Sequence, residues 1–115
     1  MSREVVEIVT TVATEQQAAE VGRTLVRERL VACANTVPCR STYWWEGALH
    51  EEGELQVTLK TLATRAAAAE RRLREIHPYR TPAILRVDVA ANPEYAAWVA
   101  SCVGETQTDA PGGAS

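Results

Sequence analysis

A basic excess is missing from this chain. Twelve Lys+Arg stand against fifteen Asp+Glu, a net charge of −3 with a pI near 5.4, and without a basic surface the chain does not read as a nucleic-acid binder. Long apolar runs are missing too. Runs such as Leu30 to Ala34 fall far short of the ~20 residues a membrane helix needs. Cysteine is scarce and odd in number: Cys33 and Cys39 lie six apart, Cys102 stands alone, and no C-x-x-C pair occurs. Any internal pairing would leave one thiol over. The opening Met-Ser-Arg-Glu-Val-Val-Glu brings in charge at once and lacks the apolar stretch of a secretory signal. These absences lead to the expectation of a cytoplasmic protein in a reducing compartment, with no nucleic-acid and no membrane partner. Phenylalanine is absent altogether, and three of the six aromatic residues sit together as Tyr43-Trp44-Trp45.

What is present fits one compact domain. The chain has 115 residues, 46% hydrophobic and 23% charged, enough to bury roughly two-thirds of its unfolded surface without staples. Val5 to Val12 is rich in β-branched residues, with Val6, Ile8, Thr10 and Val12 on one face of a strand. Thr14 with Gln17 makes a capping box. The following segment, to Leu30, carries Ala18, Val21, Gly22, Leu25 and Val26 along one side, as an amphipathic helix does. Ala32 to Trp45 has no helical period and reads as a second strand, in which Pro38 demands an edge position or a bulge. After a turn at Glu46-Gly47 the chain returns through Glu54 to Leu62, with Leu55, Val57 and Leu59 inward and Gln56, Thr58 and Lys60 outward.

Thr64 is placed as the cap of a second helix carrying Ala66, Ala69, Leu73 and Ile76, which Pro78 stops at His77. Arg71, Arg72 and Arg74, flanked by Glu70 and Glu75, form a mixed solvent face on it. Ala83 to Val89 is a fourth strand, and Asn92-Pro93 starts a last helix with a capping side chain. From Gly104 on, no apolar period remains. The expected organisation is one domain over 1–103 and a disordered tail over 104–115.

The order β-α-β-β-α-β plus a terminal helix is the α+β, ferredoxin-like sandwich. Its central hairpin is unusually long. Arms of about 14 residues span about 45 Å at ~3.3 Å per residue, so the hairpin must overhang its own domain. Overhanging strands expose unpaired edges that another chain can cover, which points to a homo-oligomer.

Several separated motifs then fall into one pattern. Leu30-Val31-Ala32-Cys33-Ala34-Asn35-Thr36-Val37-Pro38, Ser41-Thr42-Tyr43-Trp44-Trp45-Glu46-Gly47, Lys60-Thr61, His77-Pro78-Tyr79 followed by Pro82 and Ile84, and Asn92-Pro93 with Tyr95 and Trp98 resemble the CutA divalent-cation-tolerance family over about residues 5 to 102. The resemblance implies a ferredoxin-like homotrimer with interlocking hairpins, similar in fold to the trimeric nitrogen-regulatory signalling proteins. It also implies a link to divalent cation tolerance and the response to metal ions, with copper binding in some members. Copper-binding relatives are expected to carry a Cys near the end of the first strand and a second His just before His-Pro-Tyr. Thr10 and Ile76 stand at those positions here.

His77 is the candidate metal ligand, since a ring held after a helix by Pro78 offers a nitrogen to copper or another divalent metal. The plainer alternative is a histidine whose positive charge caps the helix dipole. Cys33 and Cys39 project to one face about 20 Å apart, too far to share a metal. Cys33 reads as a small buried hydrophobe, Cys39 as more exposed, and Cys102 as packed or accessible. A Cys33–His77 nucleophile pair lacks any surrounding signature, so no enzyme is expected. The resemblance sets Glu46, Lys60, His77 and Tyr79 around a ligand cleft between subunits, although Lys60 alone reads as solvated surface. The Tyr43-Trp44-Trp45 cluster lines that cleft or packs at the hairpin or a subunit contact. The combined reading is a binding or structural protein of divalent-metal handling. The alternatives are a trimeric sensor of a small anionic or nucleotide-like ligand that needs Lys60, or a trimeric scaffold without a ligand.

Overall fold

A computed structural model describes residues 4–104, so all of the 104–115 tail except Gly104 lies outside the described residues. The elements run β1 (Val5–Val12), α1 (Glu15–Arg27), β2 (Cys33–Trp45), β3 (Ala48–Leu62), α2 (Ala63–Ile76), β4 (Leu85–Val89) and α3 (Pro93–Cys102). The four strands form one sheet in the order β2-β3-β1-β4, antiparallel at every pairing.

Local chemistry accounts for most boundaries. Thr14 and Gln17 cap α1 reciprocally, the Gln17 N–H donating to Thr14 Oγ1 at 3.1 Å while Gln17 Oε1 accepts from Thr14 N–H at 3.3 Å. The helix ends at Arg27, short of Leu30, because Arg29 turns left-handed with φ 60°. The Leu30 N–H then returns to the Leu25 carbonyl at 3.0 Å, a Schellman closure. Val26, placed on the apolar side by the sequence pattern, is exposed. Pro38 sits on an outer strand whose pairing with β3 runs unbroken from Cys33↔Lys60 to Trp45↔Ala48, so its missing N–H is met by an edge and not by a bulge. Glu46 and Gly47 both have positive φ, 51° and 81°, which is the two-residue turn that suits the twist of a hairpin.

The starts of α2 and β4 and the capping of α3 differ from the sequence reading. The N-cap of α2 is Leu62, not Thr64, and makes no side-chain cap; β3 runs straight into the helix, and the Ala63 N–H is taken by the Glu4 carbonyl at 2.9 Å. Asn92 does occupy the N-cap of α3, but its Nδ2 donates to Glu94 Oε1 at 3.2 Å instead of its side chain accepting from the backbone. β4 begins at Leu85, two residues after the expected start.

The core lies on one face of the sheet. Val6, Ile8, Val12, Val57 and Leu59 meet Ala18, Val21 and Leu25 of α1 and Ala66, Ala69 and Leu73 of α2. On the helices' outer surface Arg72 pairs with Glu28 and Glu75, and Arg86 with Glu70, the mixed solvent face expected there. α3 covers only one end of the opposite face, packing Ala96, Val99, Ala100 and Val103 on Val5, Ala32 and Leu62. Beyond α3 that face is open. Val37, Leu85 and Val87 lie on it by register and are exposed.

The hairpin overhangs as expected. The long axis is 53 Å against 25 and 21 Å across, and the radius of gyration is 15.4 Å where a compact chain of this size has about 13 Å. No residue from 35 to 53 is buried.

Gly22 marks a close approach of α1 to β2. A Cβ there would stand 2.9 Å from the Ala34 Cβ. Alanine normally gains about 1 kcal/mol over glycine in a helix interior, but overpacking costs about 1–3 kcal/mol. Gly22→Ala is therefore expected to lower the melting temperature, and adding Ala34→Gly to restore much of it in thermal unfolding. A more stable single variant would disprove the contact.

Candidate ligand cleft at the foot of the hairpin

The segment between α2 and β4 is tied down by two side chains. Pro78 holds His77 extended, φ −67° and ψ 135°, and so ends α2. His77 Nδ1 accepts the Tyr79 N–H at 3.0 Å. The ring proton therefore belongs on Nε2, which donates to Thr10 Oγ1 at 2.8 Å. Thr10 is buried in the otherwise aliphatic inner face of β1, where a hydroxyl needs a partner. The Tyr79 ring sits 5.0 Å from the His77 ring, and its hydroxyl donates to Glu54 Oε2 at 2.5 Å.

Burial lowers the pKa of His77 below the usual 6.5, the nearby Thr11 backbone and Glu54 opposing it. A histidine with a depressed folded pKa stabilises the fold fully above its unfolded pKa and loses that contribution as pH falls below about 6.5. Urea midpoints are thus expected to drop between pH 7.5 and 5.0 by more in the native protein than in His77→Gln. Equal slopes would show that the ring titrates as if unfolded.

Tyr79 forms one wall of a cleft of about 690 Å³ at the base of the overhang. β2 supplies Tyr43 and Trp45, β3 supplies Glu52 and Glu54, and Arg80 stands on the rim. Tyr43 stacks on His50 across the hairpin, centroids 5.5 Å apart and planes 14° from parallel. Glu54 is 9% exposed, although its parity along β3 places it with the outward residues 56, 58 and 60; the 77–82 segment covers it. Burial and then the Glu54 carboxylate raise the pKa of Tyr79 well above the ordinary phenol range, and desolvation with Glu52 raises that of Tyr43. Both phenols stay protonated and act as donors.

A sequence model described as the CutA1 divalent ion tolerance protein matches residues 6–102. The chain belongs to the CutA family. It is 41% identical over 93 residues to the divalent-cation tolerance protein CutA of Pyrococcus horikoshii, covering 80% of this chain and 91% of that one. With the Thermotoga maritima protein of the same description it shares 36% over 97 residues, covering 84% and 96%. The crystal structure of the divalent ion tolerance protein CutA1 from Ehrlichia chaffeensis superposes with a TM-score of 0.85 at 32% identity, covering 90% of this chain and 98% of that one. The α+β architecture of a four-stranded antiparallel sheet with three helices matches these CutA structures.

Within one CutA chain the four residues expected around a cleft separate into three places. His77 and Tyr79 stand together. Glu46 lies at the hairpin turn, eight residues or about 26 Å of strand from Glu54. Lys60 lies about 20 Å along β3 in the other direction, its Nζ donating to Asn35 Oδ1 at 2.8 Å. Cys33 is half-buried and not a fully buried hydrophobe, its Sγ 3.5 Å from the Tyr95 hydroxyl. Cys39 is half-buried as well, Sγ 3.9 Å from Ser41 Oγ, and Cys102 packs against the α3 cluster. Cys33 lies on the open face of the sheet and His77 bonds the helix-covered face, so they do not form a nucleophile pair.

The donor set bears on the metal implied by the family description. Both nitrogens of His77 are engaged, Thr10 and Ile76 bring no thiolate or imidazole, and among the described residues no group of three His, Cys, Asp or Glu can hold an ion. The residues of a single chain do not fit a copper centre at His77. The positively charged helix-capping alternative is also corrected: the ring is the C-cap by position but is buried, and its pKa is lowered. Sequence reasoning missed Glu54 and the Thr10–His77 bond. The one available signal was a hydroxyl amid the Val and Ile of the inner face of β1.

Proposed function

We propose that this CutA-family chain works as a cytoplasmic homotrimer in divalent cation tolerance and the response to metal ions, binding a ligand in clefts completed between subunits and catalysing no reaction. The observation that carries the reading is the hairpin: no residue from 35 to 53 is buried, yet it bears Val37, Trp44, Trp45 and Leu49, all exposed, beside an open face with Leu85 and Val87. Apolar surface and strand edge on that scale call for another copy of the chain. The ferredoxin-like order β-α-β-β-α-β, with strands far longer than its helices cover, suits interlocking hairpins. In this reading Glu46 and Lys60, about 46 Å of strand apart, reach the Tyr79 cleft from different neighbouring chains, and any metal is held with donors from more than one chain. Three free thiols suit a reducing cytoplasm. Among the described residues the hydrogen-bond partners of Cys33 and Cys39 are Asn35, Tyr95 and Ser41, which supports binding over nucleophilic catalysis.

Native mass spectrometry tests this, on the protein alone and titrated with Cu(I), Cu(II) and Zn²⁺, beside His77→Ala. The expected mass is that of three chains. A saturable metal adduct lost in the variant would support a shared site at His77. Three chains without an adduct would make the link to metal tolerance indirect. A single-chain mass overturns the reading.

A further inference from the structure

We draw no further inference here: the strongest candidate, the side-chain cluster of Cys33, Tyr95 and Cys102 where α3 meets the open face of the sheet, joins two half-buried thiols to a phenol with no second observation that points to a ligand, and it borders the face that another copy of the chain is proposed to cover.

Discussion

Replacing residues 40–53 with Asn-Gly is expected to give a chain that folds but no longer assembles. Cys39 and Glu54 are register partners, six residues in from the native closing pair Trp45↔Ala48. An even shift keeps the alternation of hydrogen-bonded pairs, so a two-residue turn closes the shortened hairpin in phase. No core residue lies in the excised stretch: the buried set passes from Ala32 to Val57 with only Glu54 between. Circular dichroism and a cooperative melt should therefore persist, while the native mass falls from three chains to one. The apolar tip residues Trp44, Trp45 and Leu49, exposed in the single chain, leave with the excised segment, and with them the surface proposed to meet another copy. A shortened chain that stays trimeric would place the assembly contacts on the open sheet face instead. One that unfolds would show that the overhang is needed for the fold itself.

Leu59→Ala is expected to have the largest effect of any single substitution on stability. Leu59 is fully buried on β3, an inner strand of the sheet, paired with Ile8 on one side and Ala34 on the other, and packed under both helices. Truncating such a leucine removes its transfer energy and leaves a cavity, a loss of about 2–5 kcal/mol. Against a total stability of about 5–15 kcal/mol, that takes a large share. At about 4–8 °C per kcal/mol for a domain near this size, the melting temperature should fall by 10 °C or more. Because an oligomer's melting depends on concentration, both proteins are compared at one protein concentration. Arg23→Ala, exposed on the outer side of α1, is the control and should stay within about 0.5 kcal/mol. A small loss at Leu59 would mean that the Ala-rich contact surface of α2 closes over the cavity.

The two substitutions act on different parts of the chain. Excision acts on a segment that contributes nothing to the core and is expected to remove the proposed assembly. Truncation at Leu59 acts on the core and leaves the assembly surface untouched. The cleft lies where the two meet, because Glu54 is the last buried residue before the hairpin leaves the domain.

Much of the fold was legible because its causes are local. β1 and the inner part of β3 show period-two burial in the sequence, since successive side chains of a strand face opposite ways. The Thr14–Gln17 box and the stop at Pro78 act over three residues and one. The overhang follows from counting residues between turns, since strand rise is nearly constant. The CutA motifs were readable in order along the chain, and the family match over residues 6–102 agrees with them.

What only the tertiary structure decided are contacts between residues far apart. Thr10 and His77 are 67 positions apart and Glu54 and Tyr79 are 25 apart. A hydroxyl or carboxylate in a strand does not announce which loop will cover it. The start of α2 moved from Thr64 to Leu62 because the Ala63 N–H found the Glu4 carbonyl, a partner no local rule names. By alternation alone Glu54 belongs to solvent, and it is buried because Pro78 turns the chain after α2 back across β3. Local rules therefore determined the elements and the reach of the hairpin. The cleft and its charge arose only when a distant loop folded over a strand whose own pattern pointed outward.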